Sequence, residues 1–146
     1  MESKTPLIFI TDTREQKEYS FPIPALRRKL NAGDYSVQGL EERVAVERKS
    51  LPDFVRTVIR DRDRFHEELR KLAQYEFACV VVEATLQDVL EGKYPGYAHP
   101  NAVLGAAVSI SVDWGIPVFF CGDRQSSCRL TEEFLKRCHT KLNSRP

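Results

Sequence analysis

The sequence lacks several features that would place it in a familiar class of protein. Its 146 residues contain only four cysteines, and its 22 lysines and arginines nearly balance its 21 aspartates and glutamates. No apolar run approaches the roughly 20 residues that a membrane-spanning helix needs, and the N-terminus shows no signal-peptide pattern. We therefore expect an intracellular soluble protein with no membrane partner.

The cysteines and glycines also lack the spacing of known functional motifs. The cysteines have no close-paired framework, so we expect them to stay reduced; they are Cys79, Cys121, Cys128 and Cys138. A zinc site can be imagined from the last three and His139, but their spacing fits no usual ligand pattern. The glycines are scattered, without a phosphate-binding loop or a Gly-x-Ser-x-Gly elbow.

Length and composition are those of one folded domain. A hydrophobic fraction of 42% and a charged fraction of 29% exclude the disordered and membrane classes, and a chain of this length can bury a core. No repeat, low-complexity segment or Pro/Gly linker divides it. We predict a single domain over residues 1–146, with its core at about 7–140.

Strand and helix patterns alternate along the chain. The predicted strands are Leu7–Asp12, Gly33–Val37, Arg43–Glu47, Phe77–Val82 and Ile116–Phe120. The predicted helices are Leu51–Ile59, Arg62–Gln74, Thr85–Leu90, Pro100–Trp114 and a segment from Arg124 to about His139, while residues 24–30 are a short helix or turn. A short connection makes the second and third strands antiparallel. This order predicts an α/β fold with a mixed sheet flanked by helices.

The strongest functional signal comes from Asp34, Glu47 and Lys49. Alternate strand residues share a face, so Glu47 and Lys49 point together with Arg48 opposite, and Asp34 can reach them from a paired strand. Two carboxylates can hold a hard divalent cation, and a lysine beside them can orient or deprotonate water. These are the parts for metal-dependent phosphodiester hydrolysis, although Glu-Arg-Lys alone is also a common charged edge-strand tripeptide.

The neighbouring residues strengthen this signal. An apolar run leads into Asp12-x-Arg14-Glu15, and Asp53 and an arginine-rich segment follow Lys49. Together, Gly-Asp, a gap and Glu-Arg-Lys-x-x-x-Asp resemble the nuclease-domain signature of the XPF family (ERCC4-type) of structure-specific endonucleases. The resemblance covers about residues 7–140. It implies a restriction-endonuclease-like core with a mixed central sheet flanked by helices.

The same resemblance implies a function. We expect a metal-dependent DNA endonuclease that acts on branched or flapped DNA in repair or recombination. It would work in the cytoplasm or nucleoid of a prokaryote or phage system, or in a eukaryotic nucleus. Larger members of the family carry helix-hairpin-helix or helicase modules, which are absent from these 146 residues. We therefore expect either a stand-alone small nuclease or an excised domain.

Chemistry and resemblance together assign the catalytic roles. Asp34 and Glu47 are the expected ligands of Mg²⁺ or Mn²⁺, joined by the main-chain carbonyl of Arg48 if the geometry resembles that of the family. Lys49 would position the attacking water or stabilise the charge on the phosphorane. Glu15 would bind a second ion or orient the water.

Further residues are expected to organise the site or to contact DNA. Asp12 and Arg14 would act by ion pairing, and Arg48 would brace Asp12 or Asp53 from the opposite face. Asp53 could equally be an early-helix acid favoured by the helix dipole. The resemblance also implies a phosphate-binding arginine. Its register is open between Arg62 and Arg64.

Two further possibilities concern partners and alternative functions. Pro100–Trp114 is apolar almost all round, so it is either a deeply buried core helix or a helix that also meets another subunit. The resemblance favours a homodimer, or pairing with another nuclease domain, through the 100–140 region. The alternative functions are a restriction- or resolvase-like nuclease of the same fold and a catalytically silent DNA-binding or scaffolding subunit. Silent partners lose the acidic residues or the lysine that are present here.

Overall fold

A computed structural model describes residues 6–143 as a mixed six-stranded sheet with helices on both faces. The strands are β1 Phe9–Thr11, β2 Ala25–Arg27, β3 Tyr35–Val37, β4 Val44–Lys49, β5 Phe77–Val82 and β6 Val118–Phe120. The helices are α1 Leu51–Ile59, α2 Arg62–Leu72, α3 Leu86–Leu90, α4 Pro100–Trp114 and α5 Arg124–Asn143. The predicted fold class is confirmed. The predicted domain limits of 1 and 146 lie outside the described residues.

Sheet topology brings four strand ends together. The strand order is β2-β1-β3-β4-β5-β6. Strand β3 is antiparallel to β1 and to β4, as predicted for β3 and β4, whereas β4, β5 and β6 run parallel. The start of β3 and the ends of β1, β4 and β5 therefore lie at the same end of the sheet. Residues at those four positions, far apart in sequence, meet at one end of the sheet.

The sheet separates two hydrophobic cores because its side chains alternate between faces. One core packs α1, α2 and α4 against the face that includes Ala45 and Val80. The other packs α5 and the segment around Tyr19 against the face that includes Val44 and Val46. Within residues 6–143, no helix is both long and apolar enough to cross a membrane.

The prediction of a short helix or turn at residues 24–30 is wrong. Residues Ala25–Arg27 form β2, which pairs in parallel with β1. The Phe9 N–H donates to the Pro24 carbonyl at 2.9 Å, and the Arg28 N–H donates to the Thr11 carbonyl at 3.0 Å. An isolated helical turn is marginal in water, whereas extension along β1 satisfies these main-chain groups.

Candidate active site

Asp34 sits just before β3 and is fixed by three hydrogen bonds to main-chain groups. Its N–H donates to the Val46 carbonyl at 2.7 Å, and its carbonyl accepts from the Asp12 N–H at 2.8 Å. Its side-chain Oδ2 accepts from the Arg48 N–H at 2.8 Å. These bonds link the ends of β1 and β4 to Asp34, so its carboxylate has a defined position beside Glu47.

The glycine before Asp34 makes this close approach possible. Gly33 has φ of +78°, a conformation that side chains with a Cβ rarely adopt. A Cβ there would lie 3.1 Å from both the Ala45 Cβ and the Val46 carbonyl oxygen. The Gly-Asp pair of the sequence signature therefore has a steric reason, because glycine lets the chain pass directly over β4 and deliver Asp34 to it.

Glu47 and Lys49 point to the same side of β4, as predicted from strand alternation. The Lys49 Nζ lies 3.2 Å from the Glu47 Oε2 and 5.9 Å from the centre of the Phe65 ring on α2. Both side chains are mostly buried, with exposed fractions of 20% for Lys49 and 13% for Glu47. The ammonium group is thus held between a carboxylate and an aromatic ring at the edge of the site.

The two carboxylates carry negative charge that the surrounding protein only partly balances. Burial, and then the charge of Glu47, raise the pKa of Asp34 well above 3.8, although the Arg48 N–H works in the opposite direction. Burial also raises the pKa of Glu47 above 4.5, although Lys49 lowers it. A bound cation would favour the ionised form of both groups.

This donor set fits Mg²⁺ or Mn²⁺. Such ions bind through one or two carboxylates and keep several waters. Among residues 6–143, no three Asp, Glu, His or Cys side chains come together as a complete metal-binding group. Water, substrate oxygens and main-chain carbonyls would have to supply the other ligands. The Arg48 carbonyl is suitably placed, because alternate carbonyls of a strand share an edge and that of Val46 already faces Asp34.

Arg48 projects from the opposite face, as predicted, but its partners differ from those expected. The sequence predicts that it braces Asp12 or Asp53. Instead its Nε and Nη2 donate to the two carboxylate oxygens of Glu15 at 2.8 and 2.9 Å, and its Nη1 donates to Glu83 at 3.2 Å. The difference arises because β5 places Glu83 beside the end of β4, directly behind Arg48.

Both oxygens of Glu15 are therefore engaged by one guanidinium group. Glu15 is buried, and burial opposes its ionisation, but the hydrogen bond and charge of Arg48 keep its pKa below 4.5. This geometry favours a positioning role for Glu15 over the predicted roles of ion ligand or water-orienting group. The pairing through two parallel hydrogen bonds also fixes the side chain of Arg48, which is the residue next to Glu47 in β4.

Asp12 and Arg14 form the predicted ion pair at the end of β1. The Arg14 Nε donates to Asp12 at 2.8 Å, and the Leu30 N–H donates to the same carboxylate at 2.7 Å. Burial works against ionisation, but these hydrogen bonds outweigh it and lower the pKa of Asp12 below 3.8. The Arg14 side chain is 64% exposed, so its position is set while part of it faces solvent.

A second layer behind Arg48 was not predicted from the sequence. The Tyr19 hydroxyl donates to Glu83 at 2.6 Å, and the Tyr19 ring stacks on Tyr35 with centroids 5.1 Å apart. Arg124, at the start of α5, lies 3.5 Å from Glu83 and 4.8 Å above the Tyr19 ring. One signal was available, since Glu83 directly follows an apolar strand; the tyrosine contacts had none.

Glu68 on α2 is a further acidic residue near the site that sequence reasoning missed. Burial is the main cause that raises the pKa of Glu47, and the charge of Glu68 adds to it. The hydrogen bond to Asp12 is the main cause that raises the pKa of Arg14, and Glu68 adds to that as well. Glu68 is partly buried and follows Phe65 by three residues, so both face the sheet side of the helix. That spacing was the only available signal.

The remaining predicted residues lie on α1 and α2. Asp53 is 48% exposed and its carboxylate contacts Arg56, while its N–H donates to the capping Ser50 Oγ at 3.3 Å. This arrangement favours the early-helix interpretation of Asp53. Arg62 and Arg64 both lie within the three residues before the buried Phe65 and are exposed, without an ion pair to any residue in the described part of the chain. Both remain candidates for phosphate contact.

A match to a known family model identifies the family of this chain. Residues 11–134 match the model of the ERCC4 domain. The chain belongs to the ERCC4 domain family. The match begins at the last residue of β1 and ends within α5, so it spans every residue predicted to act in the site.

Relatives of this ERCC4 domain include two archaeal proteins. It is 33% identical over 131 residues to a Methanocaldococcus jannaschii protein described as an ATP-dependent RNA helicase, covering 87% of this chain and 15% of that protein. It is 30% identical over 121 residues to the 3'-flap repair endonuclease Xpf of Saccharolobus solfataricus, covering 82% and 46%. The chain thus spans less than half the length of these relatives.

Solved structures confirm the fold of the ERCC4 domain. XPF from Aeropyrum pernix superimposes with a TM-score of 0.71 at 21% identity, over 92% of this chain and 66% of that one. The same protein in complex with DNA gives a TM-score of 0.69 at 21% identity, over 96% and 68%. The central mixed sheet and its flanking helices are therefore the architecture of an XPF nuclease domain.

Proposed function

We propose that this ERCC4 domain is a divalent-metal-dependent DNA endonuclease that hydrolyses phosphodiester bonds in branched or flapped DNA. The observation that carries the proposal is the arrangement of Asp34, Glu47 and Lys49 at the converging strand ends. Two mostly buried carboxylates lie near one ammonium group there, and the charge on the carboxylates is only partly balanced by the protein. We further propose a role for such an enzyme in DNA repair or recombination.

Each residue has a distinct task in this mechanism. Asp34 and Glu47 would hold Mg²⁺ or Mn²⁺, which supplies Lewis acidity towards a phosphoryl oxygen and towards water. The Lys49 ammonium, 3.2 Å from Glu47, positions the attacking water or stabilises the negative charge that develops on the phosphorane. The Arg48 N–H keeps the Asp34 carboxylate in place.

A second set of residues keeps this arrangement rigid. Glu15 and Glu83 fix the Arg48 guanidinium on the far face of β4. Strand β4, which carries Glu47 and Lys49, therefore cannot shift along β5 without breaking these ion pairs. Asp12 holds Arg14 at the rim, where its partly exposed guanidinium can meet a phosphate. Rigid placement of this kind is what hydrolysis of a poorly reactive ester needs.

Relatives support the choice of DNA structure. The S. solfataricus relative is named for 3'-flap repair, and the A. pernix neighbour was solved with DNA bound. The exposed Arg62 and Arg64, on the same side of the sheet as Lys49, suit contact with the backbone of such a substrate.

The test is a cleavage assay on end-labelled flap, fork, bubble, duplex and single-stranded DNA with Mg²⁺, Mn²⁺ or EDTA. We expect cleavage near the junction of the branched substrates with either metal, and none with EDTA. Equal cleavage of plain duplex would instead favour a restriction- or resolvase-like enzyme. Binding without cleavage on every substrate would favour a scaffolding subunit.

We also propose that the domain forms a homodimer through α4. The buried residues of this helix are Val103, Ala107 and Ile110, yet Val108 and Val112 on its other side are 53% and 75% exposed. The prediction of a deeply buried helix therefore applies to one face only. An apolar second face is typical of a helix that meets another subunit.

A further inference from the structure

A groove of about 240 Å³ lies between α1 and the loop of residues 91–99, away from the residues that the proposed mechanism uses. Its walls include Pro52, Ile59 and Pro95, which give it an apolar floor. Arg56 and Arg60 supply its charged groups, and no carboxylate lines it among the described residues. A groove with an apolar floor and only positive charge suits an anionic ligand that also has apolar faces.

Tyr97 stands at the edge of this groove with its whole side chain in solvent. Its exposed fraction is 105%, the largest of any large hydrophobic residue in the described part of the chain. The loop that carries it is fastened by its own bonds, because the Tyr94 hydroxyl donates to the Ala98 carbonyl at 2.7 Å and the Lys93 N–H donates to the Asp88 carbonyl at 2.9 Å. The Tyr97 ring therefore projects into solvent from a loop that is held by hydrogen bonds, and both faces of the ring are exposed.

The two arginines that line the groove with Tyr97 have charge available for a ligand. Arg60 is exposed and has no ion pair to any residue between 6 and 143. Arg56 is 59% exposed and shares its charge with Asp53. Ile59, at 37% exposure, lines both this groove and the adjacent one that contains Arg62. The groove therefore adjoins Arg62, which is one of the two arginines expected to contact phosphate.

We propose that this groove binds single-stranded DNA, with a base stacked on Tyr97 and backbone phosphates held by Arg56 and Arg60. Stacking on an aromatic side chain is open to any unpaired base, because every base has a π-face, whereas bases in a duplex are already stacked. The groove would therefore receive the unpaired arm of a branched substrate and distinguish it from duplex. The inference rests on the proposed function, since it names which strand of the substrate the domain holds.

The test is fluorescence anisotropy with a fluorescein-labelled oligothymidylate of about 12 nucleotides, a length within the usual range of single-strand sites. EDTA is present so that no cleavage occurs. Tyr97→Ala should weaken binding about ten-fold, the loss expected for one stacked base. Tyr97→Trp should bind at least as tightly as the original protein, because stacking needs the ring and not the hydroxyl.

A second pair of variants separates specific contact from general charge. Arg60→Ala should weaken binding and reduce the slope of log affinity against log salt by about 0.7, the change for one phosphate contact on a single strand. The matched control is Arg137→Ala, which removes the same charge from an exposed arginine. Arg137 lies on α5, which covers the other face of the sheet. Arg137→Ala should leave both affinity and slope unchanged.

The outcomes distinguish this inference from the proposed function. If the original protein cleaves flaps but Tyr97→Ala and Arg60→Ala bind the oligonucleotide as well as Arg137→Ala does, the groove proposal is wrong and the nuclease proposal stands. If the protein binds in a Tyr97-dependent way but cleaves nothing, the reverse holds. Equal binding of a double-stranded probe, or tighter binding of oligouridylate than of oligothymidylate, would also overturn the assignment to single-stranded DNA. Tyr97→Ala should fold normally because the ring touches so little.

Discussion

At the scale of single residues, Asp34 is held in a fixed position where its negative charge is unfavourable for the folded state. Burial and the nearby charge of Glu47 raise its pKa in the folded state above 3.8. The folded protein therefore keeps this proton to a higher pH than the unfolded chain does. Its contribution to stability is lost as pH rises from 3.8 through the raised pKa, and it does not return above that. A metal ion at the site would compensate for this loss.

The raised pKa of Asp34 gives a prediction for Asp34→Asn. Asparagine cannot ionise, yet its carbonyl can still accept the Arg48 hydrogen bond. In metal-free buffer at neutral pH the variant should have a higher free energy of unfolding than the original protein, and the difference should shrink as pH falls towards 3.8. Urea denaturation in EDTA measures both values. A destabilised variant at neutral pH would show that the carboxylate charge is already well balanced by the protein.

Arg48 gives a second prediction at the residue scale. Its side chain is 13% exposed and its charge balances Glu15 and Glu83, so Arg48→Met would leave the buried Glu15 without its ion pair and Glu83 with only Tyr19 and Arg124. We expect a loss of about 3–5 kcal/mol in the free energy of unfolding. The matched control is Arg129→Met, whose arginine is 69% exposed beside Glu132 and Glu133 and should cost under about 1 kcal/mol. Equal losses would show that the ion pairs of Arg48 stabilise the fold no more than exposed surface pairs do.

Residue patterns could predict one half of the site and not the other. Strand alternation is a local property, so the shared direction of Glu47 and Lys49 and the opposite direction of Arg48 were predictable from the sequence. The partners of Arg48 depend on where β5 ends and on how the loop before β2 folds. No local pattern specifies either, which is why Glu83 was missed and Asp12 or Asp53 were expected in its place.

At the scale of elements, the turn into β3 decides where Asp34 lies. Gly33→Ala would place a Cβ 3.1 Å from atoms of β4 at a φ of +78°, and the backbone strain alone costs about 1–2 kcal/mol. We expect a larger loss of stability than in the control Gly39→Ala, where φ is +89° but nothing lies within 4 Å of the added Cβ. Thermal denaturation compares the two. Equal losses would mean that β4 yields to the added methyl group.

The elements also show which parts of a fold the sequence can predict. Helices α1 and α4 and strand β5 have the predicted limits, because each has a strong apolar pattern or a Pro/Ser start signal. Strand β2 has neither, since all three of its residues are exposed. It is extended because β1 offers it main-chain partners, and this tertiary effect is invisible to local propensity.

At the scale of the whole molecule, the dimer proposal makes a prediction about mass. Size-exclusion chromatography with light scattering should give a dimer of the 16.8 kDa chain. Val112→Asp, at a position 75% exposed, should shift it to monomer because the charge would be buried at the interface. Leu86→Asp on α3, at 44% exposure, is the control and should leave the mass unchanged. A monomer at all concentrations would contradict the proposal.

The central claim concerns the whole arrangement of Asp34, Glu47 and Lys49, and single-turnover cleavage of a labelled flap with saturating Mg²⁺ tests it most directly. Asp34→Asn and Lys49→Ala should each lower the rate at least about 100-fold, the loss typical of removing one group that stabilises developing charge. Lys71→Ala, an exposed lysine on α2, should cleave at the original rate, and EDTA should stop the reaction. Cleavage that persists in EDTA, or that proceeds unchanged in Asp34→Asn or Lys49→Ala, would contradict the account.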